Sequence, residues 1–229
     1  MTTELDRPIW TALQTRQIHF GKGDEFARRY DPDVSPFASA RDDSAQSLNA
    51  LHGLVRDGND SLFLLQADPI VLPGTLQATK SALGVQMVQT RDGARRSAQA
   101  TIDRLTVSDI PDMMALTELT KPGPFLKRTF EIGPFWGIRD GDRLAAMAGT
   151  RLDVPGYTEI SGVCTHPEFQ GRGLAALLST FVADQIAARG DCPFLHAYAD
   201  NDAAIRLYDR LGFRIRCEVH VAVAGLANP

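Results

Sequence analysis

Three sets of residues in this chain have types and spacings that could do chemistry. The first is the run Val163-Cys164-Thr165-His166-Pro167-Glu168-Phe169-Gln170-Gly171-Arg172-Gly173-Leu174-Ala175. It reads as the end of a buried strand, a glycine-bearing turn and the start of a helix. Unpaired N–H groups of a first helical turn attract an anion, and glycines let it approach the backbone, so the unit is a phosphate cradle in outline. No Gly-Lys-Ser/Thr follows, and the glycine spacing is not that of a dinucleotide fingerprint. The second set is Asn201, Ala204 and Tyr208, at i, i+3 and i+7 on one helix face. That face offers an amide able to hydrogen-bond, a small residue permitting close approach, and a phenol. The third set is single titratable groups beside these two, Glu159 on the strand leading into the cradle and His196 five residues before Asn201.

The elements that must position these groups follow from periodicity and punctuation. Tyr157 to Thr165 is expected as a strand, with period-2 counting placing Glu159, Ser161 and Val163 on one face, barring a bulge. Leu174, Leu177, Leu178, Phe181, Val182 and Ile186 recur at helical spacing, with Gly190 as the stop. Phe194 to Tyr198 reads as a short strand, Asp200-Asn201-Asp202 opens a helix through Arg210 that Leu211-Gly212 ends, and Phe213 to Val223 reads as a returning strand. Upstream, Ala100 to Thr106 alternates like a strand. Ser108 caps a helix with Pro111 in its first turn. Phe135 to Arg139 and Leu144 to Leu152 flank Asp140-Gly141, a hairpin signal. The sum, β-α-β-β-β-α-β-α-β, is an α/β chain with a mixed sheet and helices on its faces.

The first ninety residues carry no chemical motif. Ile9 to Leu13 reads as a short helix. Gly21-Lys22-Gly23-Asp24 looks like a hairpin turn, Ser44 or Asp43 caps a helix through Val55, and Ser61 to Gln66 is a buried strand. The residues from Gly74 to Val88 give no firm assignment. The polar, basic run Arg91 to Ser97 fits equally a domain boundary and a surface loop within one domain. Taken as a boundary, it divides the chain into residues 1–97, an α/β region without catalytic groups, and residues 98–229.

Composition narrows the function classes. The chain has 229 residues with 44% hydrophobic and 23% charged content, ordinary for a globular protein. A net charge of −4 argues against a nucleic-acid footprint. The N-terminus does not read as a signal peptide, and no apolar run approaches the ~20 residues of a membrane helix, so a cytoplasmic protein is expected. The three cysteines, Cys164, Cys192 and Cys217, form no Cys-x-x-Cys pair and are expected to be reduced. His19, His52 and His220 have no acidic or thiol partner at ligand spacing, so no metal is expected.

Gln170-x-x-Gly173-x-Ala175 resembles the acyl-coenzyme A signature of the GNAT superfamily of N-acetyltransferases. Asn201-x-x-Ala204-x-x-x-Tyr208, followed by Leu211-Gly212-Phe213, resembles that family's second signature. The two stand in the family's order, one helix and one strand apart, and the resemblance covers about Ile102 to Val223. It implies the acyl-CoA N-acyltransferase fold, with a first half that could be a degenerate GNAT-like unit. It also implies acetyl-CoA as cosubstrate and a primary amine of a small molecule or amino acid as acceptor, in a monomer or homodimer. A longer acyl chain, a protein N-terminus as acceptor, and an acyl-CoA sensor without turnover are the alternatives. By the same resemblance, Val163, Cys164 and Thr165 meet the pantetheine arm through their backbone. Gly171, Arg172, Gly173, Leu174, Ala175 and Ala176 hold the pyrophosphate, Gln170 caps the turn, Asn201 holds the pantetheine or a bound water, and Ala204 permits close approach. Tyr208 is the implied general acid, and Glu159 or His196 the base, with the balance towards Glu159. Cys164 is expected as a packed thiol and His166 as a turn residue. Acceptor contacts are expected from Phe125, Trp136, Tyr157 and Glu159.

Overall fold

The computed structural model describes residues 3–90 and 100–227. In chain order the first segment holds α1 (Pro8–Gln14), β1 (Gly21–Gly23), β2 (Ala27–Tyr30), β3 (Ala38–Ala40), α2 (Ala45–Gly53), β4 (Leu62–Gln66) and β5 (Leu76–Gln89). The second holds β6 (Asp103–Arg104), α3 (Ile110–Thr120), β7 (Phe135–Asp140), β8 (Arg143–Val154) and β9 (Tyr157–Thr165). It continues with α4 (Leu174–Ala188), β10 (Cys192–Tyr198), α5 (Asp202–Arg210) and β11 (Phe213–Leu226).

Eight strands form one mixed sheet in the order β4-β11-β5-β10-β9-β8-β7-β6, and β1-β2-β3 form a small second sheet. Strand β5 pairs antiparallel with β11 from Phe213↔Gln89 to Leu226↔Leu76 and with β10 from Phe194↔Val88 to Tyr198↔Gly84. A strand of the first segment therefore lies between two strands of the second. The division expected at 97/98 is not a division of this sheet, and the run Arg91 to Ser97 itself lies outside the described residues.

Helix α4 covers one face. Its Leu178, Val182 and Ile186 are buried against Ile160, Leu195, Trp136 and Phe213, each such side chain contributing about 1.5–3 kcal/mol. Helix α1 packs on the opposite face, with Ile9 and Leu13 against Leu65, Leu152, Val154 and Phe194. Helix α3 lies near it, Met113 and Leu116 meeting Phe135, Met147 and Cys164.

Local details differ from expectation in four places. The first hairpin turns over Asp24 to Phe26, because Asp24 Oδ1 accepts the N–H groups of Phe26 and Ala27. Thr106, not Ser108, caps the turn that opens α3, through a reciprocal pair with Asp109. The strand expected over Ala100 to Thr106 is two residues long. The unassigned stretch before Val88 is the fourteen-residue β5.

Candidate active site

Strands β9 and β10 run parallel but pair only at Cys192↔Tyr157, Pro193↔Thr158 and Phe194↔Glu159, and beyond Glu159 they part. A bulge in β9 bends the strand there. Gly162 and Val163 together face Ala148, between the pairs Met147↔Cys164 and Gly149↔Ser161, and Gly162 takes φ +62. A Cβ at Gly162 would lie 2.9 Å from the Phe135 ring, so the residue suits both the backbone conformation and the space. The bulge also resets the alternation. Glu159 stays on the α1 side, while Val163 turns to the α4 side, where it packs beside Ile160. The shared face expected for Glu159 and Val163 is thereby corrected.

The parting opens a cleft of about 910 Å³. At its mouth, His166 Nδ1 accepts the N–H of Glu168 and caps a short turn, the role expected of it. Gly171 (φ +77) and Gly173 (φ +78) then lead into α4, whose first turn has no side-chain cap. Its N–H groups are free for an anion. Val163, Cys164, Thr165, Gln170, Gly171, Gly173, Leu174, Ala175, Ala176, Asn201, Ala204 and Tyr208 all line the cleft. Arg172 does not line it. Its guanidinium stands 4.9 Å over the Phe169 ring. Asn201 caps α5, its Oδ1 accepting the Ala204 N–H at 3.1 Å, which leaves the second lone pair of that oxygen and the amide N–H groups for a ligand. Thr165 Oγ1 is buried, has no hydrogen-bond partner among the described residues, and belongs to a residue of the cleft wall, a polar atom suited to a ligand's amide. A gap between strands, a glycine cradle and this orphan hydroxyl fit an acyl-CoA.

The Tyr208 phenol is buried at 8% exposure, and burial pushes it up to about 12, with the Ser179 hydroxyl beside it offsetting part of the rise. The gap to a thiol is therefore wider than the ~2 units between free groups. Cys164 is also buried, which raises its thiol to about 11 and keeps it protonated at neutral pH.

Glu159 is fully buried and takes no part in the cleft wall. Oε2 accepts Arg151 Nε (2.8 Å) and the Leu152 N–H (3.3 Å), and Oε1 accepts Arg151 Nη2 (2.6 Å) and meets His196 Nδ1 at 2.7 Å. Burial alone would raise this carboxyl. The Arg151 charge, the hydrogen bonds from Arg151 and the His196 contact outweigh it and hold it at about 2. A carboxylate with four donors and so little affinity for a proton is a poor direct base. The balance towards Glu159 is reversed.

His196 does line the cleft. Its tautomer follows from Gln86, whose Oε1 accepts Arg216 Nη1 (2.8 Å) and whose Nε2 donates to the Leu5 carbonyl (2.9 Å). With the amide so oriented, its second N–H faces His196 Nε2 at 3.1 Å. Nε2 therefore accepts, and Nδ1 carries the proton donated to Glu159. Arg216 is paired in turn with Asp6, so the chain of polar groups runs from the N-terminal segment to the cleft.

The expected acceptor contacts fare differently. Trp136 packs edge-on against Phe181 under α4, and Tyr157 packs against Phe194 under α1, so both are core residues away from the cleft. Phe125 stacks edge-on to Phe135, while its neighbours Pro122, Gly123 and Pro124 line the cleft. The part of the cleft wall that sequence reasoning missed comes from the first segment and β11, as Phe37, Phe63, Leu65, Val219 and Val221. Arg151 and Gln86 were missed as well. Their one available signal is a polar side chain inside an otherwise buried strand run.

Comparison with known proteins agrees with this geometry. The FR47-like protein family model matches residues 135–221. A putative acetyltransferase of the GNAT family from Novosphingobium aromaticivorans superposes at TM-score 0.92 with 38% identity, over 99% of this chain and 100% of that one. The [ribosomal protein bS18]-alanine N-acetyltransferase of Salmonella typhimurium is 31% identical over 119 residues, 49% of this chain and 80% of that protein. The mycothiol acetyltransferase of Mycobacteroides abscessus is 32% identical over 111 residues, 48% of this chain but 35% of that protein.

Proposed function

The chain belongs to the GNAT family of acetyltransferases, and we propose that it moves an acetyl group from acetyl-CoA to the primary amine of a small molecule or amino acid by direct attack. The observation that carries this reading is the parting of β9 and β10 beyond Glu159, with the glycine cradle at one end and Tyr208 on its wall. The backbone of Val163 to Thr165, freed from β10, suits the amides of a pantetheine arm. The first turn of α4 suits the pyrophosphate. The thioester supplies the activated acetyl group.

In the transfer, the amine nitrogen forms a bond to the thioester carbonyl carbon and the C–S bond breaks. The amine's proton goes to His196 Nε2, directly or through water, and the Gln86 N–H now on that lone pair must give way. Glu159, itself held by Arg151, keeps the imidazole in place, and its carboxylate stabilises the positive charge the ring gains. The departing sulfur needs a hydrogen-bond donor, and the Tyr208 phenol, protonated at neutral pH, is the donor on the cleft wall. With its pKa raised so far, Tyr208 acts more through that hydrogen bond than by complete proton transfer in the ground state.

A second reading, acetylation of a protein's terminal α-amine, is favoured by the likeness to the ribosomal-protein alanine N-acetyltransferase. Thiol release from acetyl-CoA across a panel of amines, amino acids and short peptides, with products identified by mass, tests both. Amine-dependent thiol release is expected, with small acceptors faster than peptides. Binding of acetyl-CoA without turnover of any amine would overturn the reading in favour of a sensor.

A further inference from the structure

The acceptor side of the cleft has one polar group that the transfer chemistry does not use, the Nη1 end of the Arg151 guanidinium. Arg151 engages Glu159 through Nε and Nη2, along one edge of its guanidinium. Among the described residues, Nη1 makes no hydrogen bond, although the side chain is only 13% exposed. The plane is fixed on its flat side as well, with the Phe37 ring 4.6 Å away. The group is thus held on one edge and one face, and the side chain is part of the cleft wall. It stands next to Ser161 and Gly162, where the bulge frees the backbone of β9, and under the Pro122 to Pro124 loop. A guanidinium edge fixed in this way is built for a planar carboxylate.

The rest of the wall has a consistent chemistry. Phe63 and Leu65 on β4, and Val219 and Val221 on β11, share the sheet face that carries His196. Phe37 closes on Phe63 with ring centroids 5.0 Å apart. No Asp or Glu is among the described residues lining the cleft, whereas Lys121, Arg151 and Arg210 are. A polyamine or a lysine-rich tail would find no counter-charge here, and burying an unpaired ammonium is costly. A zwitterion brings its own compensation, because its ammonium offsets the carboxylate that Arg151 would hold.

We propose that Arg151 is the specificity-determining anchor for an acceptor carboxylate, and that the acceptor is a free α-amino acid with an apolar side chain. This rests on the acetyltransferase reading above. The free Nη1 takes the carboxylate, the apolar wall takes the side chain, and the α-amine lies near the bulge of β9. A peptide N-terminus has an amide where the free amino acid has a carboxylate, and so leaves Nη1 unsatisfied.

The test compares kcat/KM at saturating acetyl-CoA for L-phenylalanine and L-leucine with 2-phenylethylamine, 3-methylbutylamine and the two amino-acid amides. The free amino acids are expected to lead by roughly 10- to 100-fold, the range of a hydrogen bond to a charged group. Arg151→Lys keeps a positive charge beside Glu159 but loses the fork, and should collapse that ratio towards one, chiefly through KM of the amino acid. Decarboxylated amines or amides as good as the amino acids would overturn the inference while leaving the acetyltransferase reading intact. An unchanged ratio in Arg151→Lys would overturn it too, and should that variant not fold, the wild-type panel decides alone. Acetyl-CoA binding with no acceptor turned over would overturn both readings.

Discussion

Replacing Glu159 by Gln tests the view that this residue is a buried structural anion and not the base. The side chain keeps its size but loses the charge that pairs with Arg151, and its NH₂ group must face donors where the carboxylate accepted. The native carboxyl is held at about 2, well below its ordinary value, so its ionised form is worth roughly 3 kcal/mol of stability at pH 7. Breaking a buried ion pair from one side independently suggests about 3–5 kcal/mol. Because the native value is depressed, the contribution is complete above pH 4.5 and fades as pH falls towards 2. The difference between wild type and variant should therefore be about 3 kcal/mol at pH 7 and about half that at pH 3. Urea unfolding of both proteins at the two pH values measures it, and taking the difference removes the contribution of the other paired carboxylates. For a chain of this size the loss corresponds to a Tm lower by roughly 6–12 °C. Equal midpoints at pH 7, or a difference that does not shrink at pH 3, would refute the reasoning. In that case the geometry around Glu159 would not be that of a saturated, buried carboxylate.

Three further outcomes are expected. Tyr208→Phe should lower kcat by roughly 10- to 100-fold, the worth of one hydrogen bond to a charged group, with KM for acetyl-CoA little changed; stopped assays of thiol release would show it, and an unaltered kcat would remove Tyr208 from the chemistry. Gly162→Ala forces a side chain into positive φ and towards the Phe135 ring, costing about 1–2 kcal/mol or more and raising KM for acetyl-CoA; urea midpoints and steady-state kinetics test this, and wild-type values in both would show that β9 does not need its bulge. Arg29 and Asp60 form an ion pair at 4% and 6% side-chain exposure in the first segment, and Arg29→Met should destabilise the protein by about 3–5 kcal/mol, against a negligible change if the pair is dispensable.

What could be read from the sequence was local. The cradle from Gln170 to Ala175, and likewise the face made by Ala204 and Tyr208, each spans only a few residues, where turn and helix geometry alone fix neighbours. The helices α4 and α5 and the hairpin at Gly141 came through for the same reason. What escaped depends on distant pairing. Strand β5 is exposed along its first half and buried along its second, so it shows neither period, and its partners β10 and β11, more than a hundred residues on, make it a strand. Trp136 is expected as an acceptor contact from the loop that walls this site in the family, and Tyr157 from its nearness to Glu159, but strand alternation turns both towards the core. Glu159 looked like a base because its position is right. Its partners Arg151 and His196 lie on the two flanking strands, β8 and β10, and Gln86 one strand farther, on β5. The apolar acceptor wall arises in a segment without a motif, because an apolar strand residue becomes a binding surface only when a sheet brings it to the cleft.

The claim at the centre of this account is that acetyl-CoA lies between β9 and β10, with its pyrophosphate on the first turn of α4. Amide hydrogen exchange with and without acetyl-CoA tests it most directly. The account predicts added protection concentrated in Ser161 to Thr165 and Gly171 to Ala176, with little change at α1 or α2. Protection confined to other parts of the chain, with exchange in those two stretches unaltered by saturating acetyl-CoA, would contradict it.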